Sequence, residues 1–238
     1  MNEDKLYIDE KLRDEPFRFD DSVAQVFPDM LQRSIPGYAA SIEAIGSLAA
    51  RYVTTGTNCY DLGCSLGAAT LAIRQGIRAQ DCRIIAVDNS EPMIDRCRKI
   101  VGDDDMIDLR LADIRDVPIE NASMVVMNYT LQFLDVEARD KLVKRIADGL
   151  IDGGLFVLSE KVVDENPHMD ELLVELHQEH KRRNDYSELE ISRKRAALEN
   201  VLVPESVARH RQRLSDAGFT HSAVWLRYFN FVSIVAIK

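Results

Sequence analysis

The stretch Asp61-Leu62-Gly63-Cys64-Ser65-Leu66-Gly67 decides the fold class of this chain. It lies between a short apolar run, residues 58–62, which predicts a buried strand, and a helical segment through residues 69–73. Glycines in such a turn let the backbone approach a ligand closely, and the first N–H groups of the following helix are free to donate. One glycine turn is a weak signal, so the pattern on either side of it must support the assignment.

Predicted strands and helices alternate along the chain after this turn. Beyond the strand at residues 58–62, further strands are expected at 82–87, 107–111, 124–129, 155–159, 223–228 and 232–237. Strands that alternate with helices at this spacing predict an α/β fold, with a doubly wound and mostly parallel sheet that has helices on both faces. The predicted sheet has seven strands.

The helices between these strands carry their own boundary signals. Ser90 is a suitable N-cap and Gly102 a suitable stop for the helix between them. A later helix opens at Asp135 and has apolar positions at helical spacing. Gly153-Gly154 is then expected to turn the chain into the fifth strand.

Two segments fall outside this alternation. Residues 165–202 are helical and strongly charged, and we expect a helical insert that acts as a lid or a subunit contact, with Leu172, Leu173 and Leu176 on one face. Residues 1–20 are polar, so they predict a flexible or loosely docked arm rather than a signal peptide. The chain is therefore predicted to be one domain, residues 1–238, with an arm and an insert.

Composition narrows the class of protein. The 238 residues include 46% hydrophobic residues, enough for the core of one large domain. No apolar run approaches the roughly 20 residues that span a bilayer. The net charge of -10 argues against a protein that grips nucleic acid by its phosphates. We expect a soluble, cytoplasmic protein that binds neither membranes nor nucleic acid directly, with its four cysteines as free thiols.

Two polar features of the insert have an ordinary interpretation. The basic residues between Lys181 and Arg195 lie at helical spacing and predict, for most of them, a solvated helix face. His177 and His180 are three positions apart, but no third ligand is evident. A solvated face is therefore expected for them too, and no metal site.

Three acids lie at the ends of three consecutive predicted strands, where open α/β sheets bind ligands. Asp61 precedes the first glycine by two residues, where a carboxylate would repel phosphate but attract an ammonium group. Asp88 is placed to accept hydrogen bonds from ribose hydroxyls, and Asp113 could accept from an adenine amino group. Asn128, at the end of the fourth strand, completes the row. Ammonium, ribose and adenine describe S-adenosylmethionine better than NAD, and the alternative is a glycine turn kept for packing with the acids as helix caps.

From about Phe19 to its C-terminus the chain resembles the carboxy-S-adenosyl-L-methionine synthases, a family within the class I S-adenosylmethionine-dependent methyltransferase-like superfamily. The most specific stretches are residues 26–30, 33–38, 60–70, 120–126 and 186–192, with Lys194-Arg195. Methyltransferases in general share the glycine turn but not the others. The resemblance implies the Rossmann-like class I methyltransferase fold.

The resemblance also implies an enzyme that transfers a carboxyl group. It would convert S-adenosylmethionine and prephenate into carboxy-S-adenosylmethionine and phenylpyruvate, without a metal. The product would be used by a partner enzyme, a tRNA carboxymethyltransferase, in forming a modified wobble uridine (5-oxyacetyluridine), and the chain would form a homodimer. The ligand contacts that the resemblance implies all stand in this sequence: Tyr38, Gly63, Cys64, Ser65, Asp88, Asn89, Asp113, Ile114, Asn128 and Arg195.

Arg195 separates this function from its alternatives. By itself, an arginine between Lys194 and Ala196 predicts a surface residue. Beside a sulfonium it would be repelled, so it suits the pocket only if the ligand carries an extra carboxylate that the guanidinium can clamp. Arg195 is therefore also the candidate catalytic residue. Two other functions stay open: a conventional S-adenosylmethionine-dependent methyltransferase acting on a small molecule or RNA, and a non-catalytic carrier of the cofactor.

Overall fold

A computed structural model describes residues 3–8 and 16–238. The helices are α1 (Asp21–Ser34), α2 (Tyr38–Tyr52), α3 (Ala68–Gly76), α4 (Glu91–Val101), α5 (Val136–Gly149), α6 (Pro167–Arg183), α7 (Glu188–Leu198) and α8 (Val207–Ala217). The strands are β1 (Asn58–Leu62), β2 (Arg83–Asp88), β3 (Ile107–Leu111), β4 (Ala122–Asn128), β5 (Leu150–Val163), β6 (Glu205–Ser206), β7 (His221–Tyr228) and β8 (Phe231–Ile237). A short 3₁₀ helix spans Leu131–Phe133.

The strands form one twisted, mostly parallel sheet in the order β3-β2-β1-β4-β5-β8-β7. The first five strands in this order are parallel to one another, whereas β8 runs antiparallel to both β5 and β7. The predicted α/β class and doubly wound sheet are confirmed. The seven predicted strands are present, and the two-residue β6 pairs with β5 off this path.

Helices cover the sheet on both faces, which explains why the central strands are apolar throughout. One buried cluster joins the sheet to α5 and α8, and another joins it to α2 and α3. In β4, every residue from Ala122 to Met127 is buried. A parallel strand with helices on both faces has no solvated side, so its sequence shows a continuous apolar run instead of alternation.

The start of β5 differs from the prediction. The strand begins at Leu150, and Gly153-Gly154 lies inside it instead of forming the turn that leads into it. Ala122 pairs with Leu150 but Met124 pairs with Leu155, so extra residues bulge from β5 at this point. Gly153 has φ of +75°, which is typical of such irregularities. A glycine pair marks a bulge as readily as a turn, and the local sequence does not separate the two.

The boundary signals of α4 are confirmed. Ser90 Oγ accepts a hydrogen bond from the backbone N–H of Met93, and Gly102 is the C-terminal cap. The predicted insert at 165–202 contains α6 and α7, which follow β5 and return the chain to the sheet through β6. Among the described residues, the structure has no helix that is both long and apolar enough to cross a membrane.

The arm predicted over residues 1–20 is docked where the structure describes it. Asp4 is 1% exposed, and its backbone N–H donates to Asp29 Oδ2 at 2.7 Å. The N–H of Phe17 donates to the carbonyl of Ala197 at 2.9 Å. Asp4 also pairs with Lys194, which anchors the segment. Residues 3–8 and 16–20 are therefore docked, which is the second of the two expectations for the arm, while residues 1–2 and 9–15 lie outside the described part.

Candidate ligand site

A cavity of about 1110 Å³ lies at the carboxyl ends of β1, β2 and β4 and is bordered by α1, α6 and α7. Its lining includes residues from both halves of the sequence. All ten contacts predicted from the resemblance line it: Tyr38, Gly63, Cys64, Ser65, Asp88, Asn89, Asp113, Ile114, Asn128 and Arg195. The structure therefore brings the whole predicted set together, and the contact of each residue with a ligand stays a prediction.

The glycine turn needs its glycine because of a close neighbour. Gly63 has φ of +87°, and a Cβ built on it would lie 2.3 Å from Thr130 Oγ1. Ser65 is also in the left-handed region, with φ of +48°. The N–H groups of Gly63 and Cys64 both donate to the carbonyl of Val87, at 2.8 and 2.9 Å. These bonds fix the turn between β1 and α3 against the end of β2.

Asp88 is held in place by two backbone donors. The N–H of Ser65 donates to Oδ2 and the N–H of Ser90 donates to Oδ1, both at 2.9 Å. Burial raises the pKa of Asp88, and these N–H groups oppose the rise by stabilising the charged form. Each carboxylate oxygen can still accept from a further donor. The geometry therefore suits a ribose whose hydroxyls donate to a fixed carboxylate.

Asp61 is buried beneath the turn with one oxygen unsatisfied. Thr70 Oγ1 donates to Asp61 Oδ2 at 2.6 Å, whereas Oδ1 has no hydrogen-bond partner among the described residues. Burial raises the pKa of Asp61 to about 6. Buried polar atoms are nearly always paired, so an unpaired carboxylate oxygen beside a cavity indicates a position where a ligand donates. An ammonium group is the donor that best offsets a buried negative charge.

Two neighbours share this environment. Asn128 Oδ1 is also buried without a partner among residues 3–8 and 16–238. Tyr38, at the start of α2, lies with its ring centroid 6.4 Å from that of Tyr129. Burial raises the pKa of Tyr38, and the charge of Asp61 raises it further. The wall around Asp61 is therefore built from acceptors and neutral hydroxyls, which suits a cationic ligand.

Asp113 differs from the other acids because it already has a cationic partner. Arg115 reaches both of its oxygens, with Nη2 donating to Oδ2 at 2.6 Å and Nε donating to Oδ1 at 3.0 Å. The hydrogen bond from Arg115 lowers the pKa of Asp113. The carboxylate is therefore ionised and oriented, and an adenine amino group would share it with Arg115.

The insert lines the other part of the cavity with basic side chains. Arg195 is exposed to solvent and lines the cavity, as the resemblance implies. Lys181 and Lys194 are buried and line it as well. The solvated face predicted for the basic stretch is therefore wrong for these two lysines, because α6 and α7 turn them inward against the sheet and the arm. Lys161, on β5, also lines this part of the cavity, and no feature of the sequence predicts this position for it.

His177 is likewise buried instead of solvated. Its ring packs edge-on against Phe231 with centroids 4.8 Å apart, and Nε2 lies 2.9 Å from the carbonyl oxygen of Ser34. Since a carbonyl only accepts, Nε2 carries the proton. Burial lowers the pKa of His177 to about 2, so the imidazole is neutral. Within the described ranges no group of three His, Cys, Asp or Glu side chains could hold a metal ion, and a metal-free reaction stays a prediction.

Comparisons with known proteins identify the family of the chain. The methyltransferase domain family matches residues 60–154. Proteins described as carboxy-S-adenosyl-L-methionine synthase include one from Geobacter sp., 54% identical over 226 residues and 93% of each chain. Others are from Shewanella frigidimarina, 55% identical over 93% of each chain, and Shewanella oneidensis, 51% identical over 100% of this chain and 99% of the relative.

Solved structures support the fold alone. Human N-acetylserotonin methyltransferase in complex with S-adenosylmethionine aligns with a TM-score of 0.62 at 17% identity, over 92% of this chain and 55% of that one. Magnesium protoporphyrin IX methyltransferase from Synechocystis, with S-adenosylmethionine bound, aligns with a TM-score of 0.58 at 13% identity, over 88% of this chain and 84% of that one. Both similarities support the class I methyltransferase fold of this chain.

Proposed function

The chain belongs to the carboxy-S-adenosyl-L-methionine synthase family, and we propose that it makes carboxy-S-adenosylmethionine from S-adenosylmethionine and prephenate. One observation carries the proposal. A single cavity has two acids, the buried Asp61 and the half-buried Asp88, on the sheet side and basic groups, among them Arg195, on the insert side. This polarity suits a cationic S-adenosylmethionine beside an anionic second substrate.

The reaction balances without a further reagent. The sulfonium acidifies the methyl C–H bonds, and the methyl proton leaves with the hydroxide that prephenate loses, so that water forms. The bond between the prephenate ring and its carboxylate breaks, the ring becomes aromatic, and the carbon dioxide released forms a bond to the methyl carbon. The residues of this chain orient the two substrates and exclude bulk water, which keeps carbon dioxide beside its acceptor.

Arg195 is proposed to bind the carboxylate that the reaction creates. A guanidinium beside an unmodified sulfonium experiences only repulsion, whereas the product places a carboxylate where two N–H groups can hold it. The interaction therefore strengthens as the carboxyl group is transferred. Arg195 would thus favour product formation, in line with the catalytic role predicted for it from the resemblance.

The wider role is also a proposal. We expect the product to be consumed in the cytoplasm by a tRNA carboxymethyltransferase that modifies a wobble uridine. We also expect a homodimer in which the insert contributes to the interface. On α6, Met169 is 46% exposed and Leu172 is 44% exposed, which supports an apolar contact there. Light scattering at micromolar concentration tests this, and a monomer would contradict it.

Turnover is the direct test of the function. Purified protein given S-adenosylmethionine and prephenate should form carboxy-S-adenosylmethionine and phenylpyruvate in equal amounts, without added metal, biotin or bicarbonate. With unlabelled prephenate and carbon-13 bicarbonate present, the product should stay unlabelled. Folded protein that binds S-adenosylmethionine but leaves prephenate intact would refute the proposal, and methyl transfer to another acceptor would favour the methyltransferase alternative.

A further inference from the structure

Lys161 and Lys181 line the cavity on the side covered by the insert. Lys161 lies near the end of β5, and its register partner on β8 is Phe231, against which the ring of His177 packs. His177 and Lys181 are four residues apart on α6, so they share one face of that helix. The helix therefore carries Lys181 to the same wall of the cavity as Lys161.

A third lysine on this wall shows how the protein satisfies a buried ammonium group. Lys194 Nζ lies 3.3 Å from Asp4 Oδ2 and donates to Ser34 Oγ at 2.9 Å. In contrast, the ammonium groups of Lys161 and Lys181 make no hydrogen bond or ion pair with any residue of 3–8 or 16–238. Lys181 is buried and Lys161 is partly exposed, and neither ammonium group has a carboxylate within ion-pair distance among the described residues. The charge of Asp170 acts on Lys161 from farther away.

The positive charges on this wall of the cavity repel one another. Burial lowers the pKa of both lysines, that of Lys181 to about 7, and the neighbouring cations Lys194, Lys161 and Arg195 lower it further for Lys181. His177 adds no charge because it is neutral. Asp170 offsets part of the charge of Lys161, whereas every charged neighbour that acts on Lys181 is a cation. Several like charges lining a cavity without a paired carboxylate are typical of a place where the ligand supplies the counter-charge. The sulfonium of S-adenosylmethionine is positive and cannot supply it.

We infer that Lys161 and Lys181 form an anion subsite that holds the carboxylate which the second substrate keeps after the reaction. The inference rests on the proposed function, in which prephenate brings two carboxylates. One moves to the methyl carbon and ends beside Arg195. The other, on the pyruvyl side chain, stays on phenylpyruvate and lies between the two ammonium groups, each of which donates a charge-assisted hydrogen bond to it.

The test uses Lys161→Met and Lys181→Met, which keep the side-chain length and remove the charge. Each should raise the KM for prephenate about thirtyfold or more and leave the KM for S-adenosylmethionine unchanged, because one buried charged pair is lost. Lys181→Arg, which keeps the charge, should retain most of the wild-type affinity. Lys141→Met, on the exposed face of α5, is the matched control and should change neither constant.

Direct binding separates the subsite from the reaction. Protein loaded with S-adenosylhomocysteine, which has no methyl group to react, is titrated with prephenate and with phenylpyruvate in a calorimeter. Both should bind more weakly to each methionine variant, and by similar factors. If the wild-type protein binds prephenate and the variants do not, the subsite stands even where wild-type turnover is absent and the proposed function fails.

Three results would overturn the inference. The first is unchanged prephenate affinity in both methionine variants. The second is an equal loss of S-adenosylmethionine affinity, which would place the methionine carboxylate of that ligand beside the lysines. The third is a loss for prephenate but not for phenylpyruvate, which would assign the lysines to the carboxylate that is transferred.

Discussion

Replacing Asp61 by asparagine should stabilise the ligand-free protein and weaken its binding of S-adenosylmethionine. Burial raises the pKa of Asp61 from 3.8 in the unfolded chain to about 6 in the folded one. The stability that this shift contributes is fully present below pH 3.8 and is lost as pH rises through 6. At pH 7 the buried charge therefore lowers the free energy of unfolding by about 3 kcal/mol. This value is the upper limit for the stabilisation of the ligand-free protein expected from Asp61→Asn.

The same substitution removes the partner proposed for the ligand ammonium. A hydrogen bond to a charged group contributes about 1.5–3 kcal/mol, so affinity for S-adenosylmethionine should fall about 10- to 150-fold at pH 7. In the wild type, protonation of Asp61 should also weaken the binding of S-adenosylmethionine. At pH 5, one unit below its pKa, about one-tenth of the carboxyl groups are ionised, and affinity should fall about tenfold. The variant should show no such dependence on pH.

Calorimetric titrations at pH 5, 6 and 7, with urea unfolding of the ligand-free protein, measure both effects. Asp148→Asn is the matched control, because it removes the same charge from an exposed position on α5. It should change neither the affinity nor the free energy of unfolding by more than about 0.5 kcal/mol. An Asp61→Asn variant with wild-type affinity at pH 7 would refute the assignment of the ammonium to this carboxylate.

Three further substitutions have defined outcomes. Arg195→Leu should weaken binding of carboxy-S-adenosylmethionine by about thirtyfold or more and leave S-adenosylmethionine nearly unaffected in a competition assay, and equal weakening would contradict its role. The pKa of His177 falls from 6.5 to about 2 on folding, so the stability it contributes is full above pH 6.5 and is lost as pH falls below that value. The difference in unfolding free energy between pH 7 and pH 5 should therefore shrink by about 2 kcal/mol in His177→Asn, and an unchanged difference would mean that the imidazole is not buried as a neutral group. Gly63→Ala should destabilise the protein more than Gly56→Ala does, as measured by urea unfolding, because both glycines have positive φ but only the Cβ at position 63 meets Thr130, and equal losses would show that the turn relaxes.

The sheet and its row of acids were predictable because each rests on a local pattern. A buried strand, a glycine turn and an acid lie within a few residues of one another at Asp61, and Asp88 ends the next buried strand. The sign of the charge at Asp61 also separated an ammonium ligand from a phosphate. These features need no knowledge of what lies across the fold, so the sequence carries them directly.

The burial of the basic side chains that line the cavity could not be predicted, because their environment comes from segments that are distant in the sequence. These side chains are Lys161, Lys181 and Lys194. Lys181 and Lys194 lie on charged helices whose spacing is typical of a solvated face. What buries Lys194 is Asp4, 190 positions earlier in the chain, together with Ser34 on α1. No local pattern pairs residues so far apart. Lys161 lies near the end of β5, a strand that begins earlier than predicted because of a bulge, so its place at the cavity was equally hard to predict.

The position of Arg195 depends on the arm as well as on α7. Its neighbour Lys194 is paired with Asp4, and Arg193 Nη1 donates to the carbonyl of Tyr7 at 2.7 Å. Two consecutive residues of α7, Arg193 and Lys194, thus bind to residues 3–8, which do not line the cavity. A guanidinium that must meet a newly formed carboxylate gains from a fixed backbone, because less freedom is lost when the pair forms. The sheet therefore provides the binding site for a cationic cofactor, as it does in other proteins with this fold. The insert, which the arm holds in place, provides the charges that suit this site to carboxyl transfer.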